Sequence, residues 1–134
     1  MATQKSELGS FGEDIACQYL VDKGYKIIER NFRRPWGELD IVAKYKDGTF
    51  VFAEVKTMEQ YGEGIQPEDQ LTTSKLQKLQ RTAQLYAGNY PGKINDNKGW
   101  RIDLIAINIP PDLNHSVKLT EIVKNSIIRH YKNI

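Results

Sequence analysis

The 134-residue chain is 40% hydrophobic and 27% charged, the balance of an ordinary soluble globular protein, and its length suits one domain rather than two. A net charge of +2 is compatible with an anionic partner without requiring one. Cys17 is the sole cysteine, which excludes an internal disulfide framework and a multi-cysteine zinc site and suits a reducing compartment.

No apolar run approaches the roughly 18–20 residues of a membrane span, and the first residues lack the apolar core of a secretion signal. The expected location is the cytoplasm, with no membrane partner. A single domain is expected over 1–134, frayed at 1–5 and 132–134, and there is no internal repeat.

In chain order, Leu8, Phe11, Ile15, Ala16, Tyr19 and Leu20 recur at helical spacing and predict a helix over 6–23, ended by Gly24. "YKIIERNFR" (25–33) reads as a strand and "RPWG" (34–37) as a turn. "GELDIVAKYKDGTFVFAEVK" (37–56) reads as a β-hairpin around Lys46-Asp47-Gly48. Residues 58–72 hold Gly, Pro and four carboxylates without periodicity and predict a loop. A second helix starts near Thr73 or Ser74, carries Leu76, Leu79, Ala83 and Tyr86 as its apolar stripe, and stops at Gly88-Asn89. "WRIDLIAINI" (100–109) predicts a strand covered on both faces. The C-terminal stretch is expected to form a strand at 117–122 and then a short helix. This order gives an α/β sandwich around a mixed sheet.

The hairpin raises the chemical question. A three-residue loop ending in Gly makes paired positions sum to 94, so Asp40 falls opposite Glu54 and Glu38 opposite Lys56, all four on one face. Like charges directly opposite are destabilising. Two close carboxylates point to a divalent cation or a shared proton, with Lys56 beside them to balance charge on a phosphate. The plainer alternative is a surface ion pair between Glu38 and Lys56, worth about 0–1 kcal/mol.

The same residues carry a family resemblance. "GELD", followed after thirteen residues by "EVK", resembles the D…ExK signature of the PD-(D/E)xK nuclease superfamily. The blocks "GSFGEDIACQYL", "ERNFR", "GELDIVA", "FVFAEVKT", "KLQKLQRTAQLY" and "RIDLIAI" together resemble the UPF0102 (YraN-like) family within it. The resemblance implies a restriction-endonuclease-like α/β/α sandwich with an αβββαβ core. It implies that Asp40 and Glu54 hold Mg²⁺ or Mn²⁺ and that Lys56 stands beside the attacking water. Archaeal Holliday-junction resolvases, similar in their core, add a glutamate from the first helix, and Glu13 matches it. Glu38 follows the family's "GE" and is expected just behind the ligands. Met58 stands where relatives often have a basic residue. Glu121 aligns where they often have a histidine.

Two basic groups are candidates for phosphate contact: Arg30, Arg33 and Arg34 before the hairpin, and Lys75, Lys78 and Arg81 at i, i+3, i+6 on the second helix. The alternative for the latter is a solvated face. Trp36 either stacks on a base or closes its turn, and Trp100 is expected in the core. The leading expectation is a Mg²⁺- or Mn²⁺-dependent endonuclease acting on DNA, including branched DNA, with a homodimer conceivable by analogy. The competing expectation is a nucleic-acid-binding module with weak or no nuclease activity.

Overall fold

The computed structural model describes residues 4–59, 64–111 and 118–134. The elements are α1 (Gln4–Asp22), β1 (Tyr25–Arg34), β2 (Gly37–Tyr45), β3 (Phe50–Met58), a 3₁₀ turn (Pro67–Gln70), α2 (Thr73–Asn89), β4 (Trp100–Asn108), α3 (Leu119–Asn125) and β5 (Ile127–Tyr131). The five strands form one mixed sheet in the order β1-β2-β3-β4-β5. β1, β2 and β3 pair antiparallel, β3 and β4 pair parallel, and β4 and β5 pair antiparallel. The parallel pair needs a long crossover, which α2 supplies.

Strand alternation assigns each side chain to a layer. Ile41, Ala43, Val51, Ala53, Ile105 and Ile107 meet Ile15, Ala16 and Leu20 of α1 and Ile122 of α3. Val42, Phe50, Phe52 and Ile102 meet Leu79, Ala83 and Tyr86 of α2. The result is an α/β sandwich with helices on both faces of the sheet. β4 is buried from Ile102 through Asn108, as its largely apolar sequence predicts, with Asp103 and Asn108 buried among the apolar side chains.

The hairpin turn has the expected form. Tyr45 N–H donates to Thr49 O at 2.8 Å, and Gly48 N–H donates to Tyr45 O at 2.9 Å. Gly48 takes φ +99°, a conformation in which a Cβ is strained. The pairs Ile41–Ala53, Val42–Phe52, Ala43–Val51 and Lys44–Phe50 keep the sum of 94.

The C-terminal expectation is reversed: helix precedes strand. Leu119, Ile122 and Val123 stand at i, i+3, i+4 and pack into the α1 layer, so helical burial wins over 119–125. The strand follows at Ile127–Tyr131, pairing Ile105 with His130 and Ala106 with Arg129. Glu121 therefore sits on α3, and β5 carries His130. His115 lies outside the described residues.

His130 completes a buried polar network. Asp103, fully buried, accepts hydrogen bonds from Arg101 Nε at 2.9 Å and Asn133 N–H at 3.0 Å, and pairs with His130 Nε2 at 2.7 Å. Tyr19 Oη meets His130 Nδ1 at 3.2 Å. Burial opposes charge on Asp103, but the bonds from His130, Arg101 and the Asn133 N–H outweigh it and hold the carboxyl below its ordinary range. The network ties β5 and the chain end to β4.

Candidate active site

The β2–β3 ladder stops at Ile41–Ala53, one position short of the carboxylates. Asp40 explains the stop: its Oδ2 accepts the Val55 N–H at 2.9 Å. A side chain thus occupies the place of a main-chain acceptor and fixes the Asp40 carboxylate against β3. Glu54 adjoins it, close enough for the Asp40 charge to act on its carboxyl. Burial first, and the charge on Asp40 second, push the Glu54 carboxyl well above its ordinary range, while Lys56 works the other way. Lys56 Nζ lies 3.4 Å from Glu54 Oε1, and the two side chains are 21% and 17% exposed.

Glu38 departs from the expected register. It does not face Lys56. The backbone of Glu38 pairs with Arg33 on β1, and its side chain, 67% exposed, lies 3.6 Å from the Arg33 guanidinium. Beyond the last β2–β3 pair, Ile41–Ala53, β2 stays paired with β1 as far as Gly37. Glu38 still lines the cleft that holds the carboxylates.

Glu13 approaches from α1. Helix and sheet are in close contact here: a Cβ on Gly12 would lie 2.0 Å from Thr57 Oγ1. Glu13 Oε1 is buried without a hydrogen-bond partner. Burial, and then the Asp40 charge, raise its carboxyl to about 7, against the pull of Arg30 and Arg33. Among the described residues no group of three or more His, Cys, Asp or Glu side chains is arranged to hold a metal ion. The Asp40–Glu54 pair is therefore the donor set that the described structure offers, with Glu13 an electrostatic neighbour of Asp40.

These groups open into a cleft of about 570 Å³ between the start of β2, the end of β3 and α2. Its lining joins Glu38, Asp40, Glu54 and Lys56 to Lys75, Lys78 and Arg81 of α2 and to Arg34. All three expected α2 cations reach the cleft. The helix starts at Thr73, as expected, and its cap is Thr72, whose hydroxyl accepts the Lys75 N–H at 3.2 Å. Of the β1 arginines only Arg34 joins the cleft. Arg30 pairs with Asp14 of α1 at 2.8 Å, and Arg33 with Glu38. Trp36 lines the cleft from the two-residue turn between β1 and β2, and Trp100 packs on Phe52 with ring centroids 5.6 Å apart.

Thr82 also lines the cleft and was not singled out from the sequence. Its position four residues after Lys78, on one helical face, was the available signal. Within the 3₁₀ turn, Glu68 accepts a 2.6 Å hydrogen bond from Arg129 Nε on β5. No helix of the described structure is long and apolar enough to cross a membrane.

The profile of the family described as "Uncharacterised protein family UPF0102" matches residues 12–107, which span α1 through most of β4. A UPF0102 protein of Corynebacterium efficiens is 38% identical over 112 residues, covering 83% of this chain and 85% of its own length. One from Clostridium botulinum (strain Loch Maree / Type A3) is 42% identical over 121 residues, covering 90% of this chain and 93% of its own. One from Syntrophomonas wolfei is 48% identical over 85 residues, covering 63% of this chain and 72% of its own. Agreement of this extent, across the elements that build the cleft, makes the chain a member of the UPF0102 family.

Proposed function

We propose that this protein is a Mg²⁺- or Mn²⁺-dependent nuclease that hydrolyses phosphodiester bonds in DNA, including branched DNA. The observation that carries the reading is the meeting of Asp40 and Glu54, with Lys56 beside them, in a cleft lined by Arg34, Lys75, Lys78 and Arg81. A site for an anionic polymer needs cations around its mouth. A site for a hard divalent ion needs carboxylate oxygens and space for water.

The donor set fits such an ion. Two mostly buried carboxyls face each other at a cost that only a proton or a cation relieves. Glu13 adds a buried, unpartnered oxygen nearby. Asp40 and Glu54 would hold the ion, which supplies Lewis acidity toward water and toward the phosphoryl oxygens.

The protein's own groups do the remainder. Hydrolysis adds water to phosphorus, breaks one P–O ester bond, and leaves a phosphomonoester and an alcohol. Lys56 Nζ donates toward the incoming water or a phosphoryl oxygen and offsets negative charge there. The Val55 N–H holds the Asp40 carboxylate in one orientation throughout. Lys75, Lys78 and Arg81 bind flanking phosphates without reading sequence.

A cleavage screen tests this directly. Single-stranded, duplex, flap and four-way-junction DNA are incubated with protein and Mg²⁺ or Mn²⁺. Cleavage is expected for the parent protein and absent for Asp40→Asn. Lys56→Met is expected to retain Mg²⁺-induced thermal stabilisation while cleavage falls by about 10²-fold or more. Undiminished cleavage by folded Asp40→Asn would sink the reading. Retarded DNA with no cleavage under either metal would favour a binding module instead.

A further inference from the structure

We infer that the cleft takes an unpaired DNA strand, one base of which stacks on Trp36; this rests on the nuclease reading for the identity of the ligand. Trp36 belongs to the cleft wall but does none of the chemistry assigned above. Its situation differs from that of the core aromatics. Tyr86 is fully buried, whereas Trp36 is half-buried although it sits against the same cluster. It packs against Phe32, with centroids 5.5 Å apart and planes tilted by 55°. That contact supports the ring within the sheet-to-helix layer while the side chain still borders the cleft.

The turn that carries Trp36 is held from three directions. Pro35 restricts the chain on one side. Gly37 on the other side lies so close to α2 that a Cβ would fall 2.1 Å from Thr82 Oγ1. Arg34 is fixed over the Phe32 ring at 4.4 Å and donates to Tyr90 Oη at 3.2 Å. An aromatic ring that only closed a turn would not need this much positioning. A ring that receives a base does, because stacking is strong only when the platform is already in place.

The cleft, about 570 Å³, has room within it for about one or two nucleotides beside the Trp36 ring, which can stack only on a base freed from its pair. A strand passing between Trp36 and the carboxylates would leave its phosphates to Lys78 and Arg81. Phosphate contacts combined with an aromatic platform are how proteins hold single strands with little regard for sequence. Selection of unpaired DNA would then direct the site to the single-stranded parts of branched molecules.

The test uses the full-length protein in EDTA, so that binding is read without cleavage. Intrinsic tryptophan emission is followed during titration with oligo(dT) and with a blunt duplex of equal length. Oligo(dT) is expected to quench emission saturably and to bind at least about tenfold more tightly than the duplex. Trp36→Phe should lose most of the quenching while keeping part of the affinity. Trp36→Ala should weaken oligo(dT) binding by about five- to a hundredfold and duplex binding little. Should Trp36→Ala fail to fold, quenching in the parent and its loss in Trp36→Phe still decide the matter. Equal affinity for strand and duplex, or quenching that survives in Trp36→Phe, overturns the inference, and metal-dependent cleavage can persist in that case. Saturable, Trp36-dependent quenching with no cleavage under any metal would instead uphold the strand site and remove the nuclease reading.

Discussion

Glu13 occupies a position that its charge makes costly. In an unfolded chain its carboxyl loses its proton near the ordinary value of 4.5, while in the folded protein it keeps the proton up to about 7. Between those values the folded state binds more protons, so stability falls as pH rises, and above about 7 the full loss is in place. The cause is burial first and the Asp40 charge second. Glu13→Gln retains the shape and removes the ionisation. It should raise metal-free stability at pH 8 by on the order of 1–3 kcal/mol and leave stability at pH 4 nearly unchanged. Urea melts of both proteins at the two pH values check this, and a gain equal at pH 4 and pH 8 would show that charge is not the cause. The same residue illustrates what the sequence could say. Glu13 lies on the edge of an apolar stripe, so partial burial was readable, but the proximity of Asp40 depends on how closely α1 packs on the sheet.

That packing is set by glycine. Gly9 and Gly12 both lie inside α1, where glycine costs helix stability relative to alanine. Their surroundings differ: nothing lies within 4 Å of a Cβ built on Gly9, while one on Gly12 meets Thr57 Oγ1 at 2.0 Å. The same substitution should therefore have opposite signs three residues apart. Gly9→Ala is expected to stabilise by about 0.5–1 kcal/mol. Gly12→Ala is expected to destabilise by about 1–3 kcal/mol, since helix or strand must move. Denaturant midpoints measure both, and a stabilising Gly12→Ala would mean that α1 can lift from β3 without cost. At this scale the sequence was informative where signals were local: the helical stripe of α1, the three-residue turn ending in Gly48, and the largely apolar run of β4. It misled at the C-terminus, where a strand was expected over 117–122 and α3 forms at Leu119–Asn125. The i, i+3, i+4 spacing of Leu119, Ile122 and Val123 was the better guide, and its burial against α1 decided the outcome.

Across the whole molecule, the cleft draws together residues that are distant in sequence, and this explains which part of it was legible. Asp40, Glu54 and Lys56 belong to one hairpin whose turn fixes their register, so their meeting could be worked out in advance. The end of the ladder could not, because it comes from a side chain, Asp40, capturing a main-chain donor. The partners of Arg30 and Arg33 were equally hidden, since Asp14 approaches from another layer and Glu38 stays paired with β1 beyond the last β2–β3 pair.

Charge sorting is the property that matters most at this scale. A net charge of +2 conceals a cleft bordered by Arg34, Lys56, Lys75, Lys78 and Arg81. If phosphates bind there, counterions are displaced from the DNA, and affinity must fall with salt by about 0.7 in the log–log slope per phosphate contact on a single strand. Replacing Lys75, Lys78 and Arg81 together by Gln removes up to three such contacts without touching Asp40, Glu54 or Lys56. The slope should decrease by about 2, and affinity at low salt should fall to a similar degree for oligo(dT) and for a mixed-sequence strand, because phosphate contacts carry no sequence information. Glutamine keeps the helix and most of the aliphatic stem, so stability should change little. The measurement is a KCl titration of binding in EDTA for parent and triple variant. An unchanged slope in a folded variant would show that these cations meet only solvent. A lower slope for one sequence alone would show that they contact bases.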